Sequence, residues 1–107
     1  MAIEVCPVYA NGILTERDFK IAKKKILRTI DDIKKVPALS NLDNLYILVE
    51  GFDNPHFPIN GMAACPHKTI LNIDPSNRDW LKNCELERIT AHEIHHSARK
   101  RFFPDPK

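Results

Sequence analysis

In residues 15–36, Phe19, Ala22, Ile26, Ile30 and Ile33 recur at spacings of three and four, which places them on a single stripe of an α-helix. A helix with one apolar face must cover it with another element, so this segment demands a partner layer from a short chain. Arg17, Lys20, Lys24, Arg28 and Lys35 lie on the opposite face. Thr15 has the character of an N-cap, with Asp18 three residues on supplying an acidic first turn. Pro37 closes the helix.

The partner layer is legible as short strands. Residues 3–6 read as a first strand ended by Pro7, followed by a turn at Asn11-Gly12. Residues 45–49, Leu-Tyr-Ile-Leu-Val, form a continuous apolar run of strand length, the pattern of a central strand covered on both faces. Pro55 and Pro58 make residues 53–58 a loop. Residues 60–64 and 69–73 read as two strands about a turn at Cys65-Pro66-His67, and Asp74-Pro75-Ser76-Asn77 as a further turn. A last helix is expected to start near Asp79 or slightly later and to run to about Arg101. The expected architecture is α+β: an N-terminal packing helix, a three- to four-stranded mixed sheet and a C-terminal helix, forming one domain over residues 1–107.

Several function classes are excluded at this level. No apolar run approaches the ~20 residues of a membrane span, and the start of the chain lacks the basic and apolar regions of a signal peptide. Cys6, Cys65 and Cys84 are odd in number and scattered, which points to a reducing, cytoplasmic setting rather than a disulfide framework. Residues 15–36 carry eight basic side chains against four acidic ones, while the whole chain carries only +2. Glu16, Asp31 and Asp32 interrupt the basic face and no aromatic residue lies among its lysines, so a solvated face is favoured over nucleic-acid binding.

The chemistry is concentrated in the last helix. His92-Glu93-Ile94-His95-His96 satisfies H-E-x-x-H. Side chains at i and i+4 stand one above the other, so His92 and His96 can share one metal ion. Zinc suits neutral imidazole ligands. Glu93 is offset by ~100° around the axis, where it can act as general base toward water acidified by the ion. Leu86, Thr90, Ile94 and Ala98 form the opposite, sheet-packing face. His95 is expected in a supporting or surface role.

The stretch His92-Glu93-Ile94-His95-His96-Ser97-Ala98-Arg99 resembles the H-E-x-H-H-x-x-R signature of the YjaZ-like family of predicted zinc-dependent proteases. The likeness extends upstream through a Gly-containing strand, a turn and an apolar strand ending in Asp-Pro, from Gly61 to Pro75. It implies a small zincin-like fold of gluzincin type, a peptide or protein substrate, and a third zinc ligand supplied by a Glu on a later helix. It also implies that the strand around Gly61 is a sheet edge able to pair with an extended substrate. This sequence ends eleven residues after His96, so that Glu has no counterpart, and a homologue lacking its C-terminal part is expected. Asp105, Glu50, His56, Cys65, His67 or a second subunit remain as alternative donors.

The sequence thus predicts a zinc metallopeptidase domain with His92 and His96 as metal ligands and Glu93 as catalytic base. Arg99 is a candidate for binding a substrate carbonyl, or else a cation favourable to the helix end. Cys65, His67 and Cys84 form a weaker second metal candidate, and Trp80 reads as a packing residue. The competing class is a non-enzymatic binding module on the same scaffold, for which a homodimer is one way to cover exposed apolar surface.

Overall fold

The computed structural model describes residues 3–39, 45–53, 59–65 and 67–102. Four strands form one mixed sheet: β1 (Glu4–Val8), β2 (Tyr46–Gly51), β3 (Ile59–Cys65) and β4 (Lys68–Ile73), in the order β1-β2-β4-β3. The first three strands of that order run parallel, and β3 pairs antiparallel with β4 as a hairpin at the sheet edge. Helices α1 (Glu16–Ile33) and α2 (Glu85–Phe102) pack against each other and on the same face of the sheet, α1 toward β1 and α2 over β3.

Helix α1 forms as its periodicity requires. Thr15 adopts an extended conformation and accepts the Asp18 amide at 3.1 Å, while its hydroxyl donates to the Asp18 carboxylate at 2.8 Å. Asp18 is buried and also accepts from Arg78 at 2.8 Å, which ties the start of α1 to the segment leading into α2. Phe19, Ala22, Ile26, Ile30 and Ile33 are all buried. Each such side chain contributes on the order of 1.5–3 kcal/mol, less for alanine. The helix ends at Ile33 rather than Val36, and Pro37 opens a 3-10 turn.

Pro7 does not end β1. The Glu4 amide donates to the Leu45 carbonyl, so alternate residues Cys6 and Val8 also direct their amides toward β2. Pro7 therefore falls where its missing N–H would face the open edge, a tolerated position.

Among the described residues the helices cover only one face of the apolar run of β2. Ile47, Val49 and Gly51 are buried beneath the helices, while Tyr46 is exposed and Leu48 and Glu50 are half-buried on the other side. β4 alternates in the same way, with Thr69, Leu71 and Ile73 inward. Two helices on one face make this a two-layer structure among the described residues.

The last helix also starts later than expected. A 3-10 turn over Arg78–Leu81 buries Trp80, and α2 begins only at Glu85. Asn83 and Cys84 both take φ of 55°, a left-handed pair that breaks the helix between them. The expected turn at Asp74 is present, with its carboxylate accepting the Ser76 amide at 3.0 Å and hydroxyl at 2.6 Å. The loop over 54–58 lies outside the described residues.

Candidate metal centre

Helix α2 sets the site by its rotation about its own axis. Leu86, Thr90, Glu93, Ile94 and Ser97 point inward and are buried. Lys25 of α1 pairs with Glu87 at 3.7 Å, which marks the flank of α2 that faces α1. His92 and His96 lie ~140° and ~180° around the axis from Glu87, so both emerge on the other flank, beside the edge strand β3. A buried hydroxyl pair, Thr69 Oγ1 and Ser97 Oγ 3.1 Å apart, joins α2 to β4 at this level.

The two imidazoles converge. His92 Nε2 and His96 Nε2 are 3.0 Å apart, with ring centroids at 4.5 Å and planes at 89°. Two nitrogens bound at ~2.0–2.1 Å to one tetrahedral zinc would stand ~3.3 Å apart. The observed separation of the two nitrogens differs from that of a coordinating pair by a few tenths of an ångström. Without an ion the same contact is an N–H···N hydrogen bond, so a shared proton and a shared cation compete for one place.

Glu93 lies beneath the pair and is 8% exposed. His92, Glu93 and His96 each offer a ligand atom within 4.8 Å of the others. Among the described residues none is hydrogen-bonded or ion-paired to the Glu93 carboxylate. Room for its side chain comes from Gly61 on β3: a Cβ there would stand 2.6 Å from Glu93 Cγ and 3.0 Å from Ile89 Cγ2. The donor set of two imidazoles and one carboxylate, open to solvent at the histidines, could hold a metal ion.

The other expected residues are placed as follows. His95 is exposed and donates from Nδ1 to the Ala91 carbonyl at 2.7 Å, away from the pair. Glu50 is on the sheet face opposite the helices, within 3.4 Å of Asn11 Nδ2, and so cannot be the third donor in this chain. His67 and Cys84 join no candidate metal cluster among the described residues, and the side chain of Cys65, the third member of that candidate, lies outside them. His56, Asp105 and the side chains of Cys65, Ala98 and Arg99 lie outside the described residues.

Two contributors were missed by motif reading. Gly61 carried a signal, a glycine inside a strand, which marks close approach of another element. Ser97 carried a fainter one, a small polar residue one turn after the glutamate on a face otherwise apolar.

No family model matches this chain, and neither the curated proteins nor the solved structures yield a match. No helix among the described residues is long and apolar enough to cross a membrane.

Proposed function

We propose that the chain is a zincin-like metallopeptidase domain in which His92 and His96 hold a zinc ion and Glu93 serves as general base. The observation that carries this reading is the convergence of the two Nε2 atoms at 3.0 Å beside a buried glutamate that has no partner among the described residues. It agrees with the resemblance of the helix to the YjaZ-like signature. A bound zinc would supply Lewis acidity, polarising a peptide carbonyl and bringing the pKa of water toward ~7.

The chain's own residues do the rest. Glu93 takes the proton of the attacking water and delivers it to the departing amine. The burial of Glu93 against Gly61 fixes its carboxylate near the histidines and limits competing water. β3, as an antiparallel edge strand next to the site, offers unpaired backbone groups along which an extended peptide can lie.

The location of Glu93 within ligand distance of both histidines favours a second role for it, as third ligand of a binding module without hydrolytic activity. One pair of variants separates the two. His92→Ala and His96→Ala should each abolish stoichiometric zinc binding measured by calorimetry. With Glu93 as base, Glu93→Gln retains zinc but lowers cleavage of an unfolded peptide by ~10²–10⁴-fold. With Glu93 as ligand, Glu93→Gln instead weakens zinc binding, and the wild-type chain cleaves nothing. Zinc binding unaffected by either histidine variant contradicts both.

A further inference from the structure

The sheet face opposite the helices carries an unbroken apolar row. Cys6, Leu48, Ile70 and Met62 are neighbours in register across β1, β2, β4 and β3. Cys6, Leu48 and Ile70 are half-buried, and Met62 is 56% exposed. No described helix covers them. The adjacent row is Glu4, Tyr46 and Lys68, again in register, with Tyr46 50% exposed. On the other side lie Val8, Glu50, Asn72 and Asn60, polar in three of its four positions. An apolar stripe across a whole sheet, rimmed by polar residues, is the usual form of an association surface.

The rim specifies its partner. Glu4 and Lys68 are exposed charges of opposite sign, and neither has an ion-pair partner among the described residues. Glu4 sits beside Tyr46: hydrogen bonding to its carboxylate, then its negative charge, hold the phenol above its ordinary range. Consider a two-fold axis parallel to the strands, passing between β2 and β4. It sets Leu48 against a second Ile70 and Cys6 against a second Met62. The same operation brings the second Lys68 over Tyr46 and next to Glu4. Cation, ring and carboxylate then meet twice, once on each side of the axis. Strands stay aligned between the two sheets, as in face-to-face packing of twisted sheets.

We infer that this face binds a second copy of the chain, forming a symmetric dimer sealed by the Cys6–Leu48–Ile70–Met62 row and oriented by Lys68 on the Glu4–Tyr46 pair. Four strands ~4.8 Å apart and five residues of ~3.3 Å rise project an area on the order of 300 Å² per subunit. Twice this area lies below the ~1,200 Å² of standard specific interfaces, so even with side-chain relief the association is a weak, transient one.

Sedimentation velocity across micromolar to several hundred micromolar protein tests this, in chelating buffer so that histidines linked by metal do not contribute. The mass should rise from 12.3 kDa toward twice that value. Lys68→Glu and Met62→Glu, both at exposed positions, should each weaken association by about tenfold or more. The double variant Glu4→Lys/Lys68→Glu should recover most of the affinity lost in Lys68→Glu. A chain that stays monomeric throughout overturns the proposal. So does a dimer indifferent to both single variants, which would use another face, or a double variant no better than Lys68→Glu.

Discussion

At the scale of single residues, the site depends on a glycine as much as on the histidines. Gly61→Ala would set a methyl 2.6 Å from Glu93 Cγ, with Ile89 closing the other side at 3.0 Å. Either the glutamate or α2 must move, and overpacking of this kind costs ~1–3 kcal/mol. Gly61→Ala should therefore lower stability in chemical denaturation and weaken zinc binding in calorimetry, and an unchanged pair of values would show that Glu93 is not held by β3. Thr90 tests the opposite case. Its hydroxyl is fully buried without a hydrogen-bond partner, so Thr90→Val removes an unsatisfied group at nearly constant shape. The expected gain is about 1 kcal/mol, read as a higher denaturation midpoint. The motif spacing alone announced the histidine pair and the glutamate. It could not announce which residue across the helix–sheet interface makes room for them, because that depends on register between segments distant in the chain.

At the scale of elements, α1 and the β3–β4 hairpin were legible because local rules decide them: a 3.6-residue stripe, a Thr15 cap, and two short apolar runs about a turn. The start of α2 was not. Nothing in the composition of residues 79–84 forbids a helix, yet Asn83 and Cys84 both sit at φ of 55°. Asparagine tolerates that region better than cysteine does. Cys84→Gly relieves ~1–2 kcal/mol of left-handed strain and gives back ~0.5–1 kcal/mol in unfolded-chain entropy. A net stabilisation of about 0.5–1 kcal/mol is expected in urea titration; destabilisation would mean that the thiol makes contacts worth more than the strain. The junction between α1 and α2 is held by Arg78 on the buried Asp18. Asp18→Ala removes this pair and the Thr15 hydroxyl's bond to the carboxylate while keeping the cap bond to the backbone amide, and should lower stability by ~1–3 kcal/mol. The apolar run of β2 misled in a different way: continuous hydrophobicity predicts burial on both faces, but helices cover only one here, and Leu48 belongs to a surface.

At the scale of the whole molecule, the chain places its chemistry and its bare surface on different sides. The histidines open on the helix flank next to β3, while the Leu48 row lies on the far side of the sheet, so dimerisation leaves the site accessible. The order β1-β2-β4-β3, which makes β3 an edge, could not be read from the sequence, because strand order is fixed by long-range pairing. A ligand that binds only the folded chain raises its stability by ~2.7 kcal/mol at a hundredfold excess over its dissociation constant. Zinc should accordingly raise the thermal midpoint of the wild type by several degrees and leave His96→Ala unmoved. The most direct test is X-ray absorption at the zinc edge on the chain loaded with one equivalent of zinc. A retained ion with two imidazole nitrogens at ~2.0–2.1 Å is expected, lost when either His92 or His96 is replaced by alanine. An ion that washes out, or a spectrum without imidazole scattering, would contradict it.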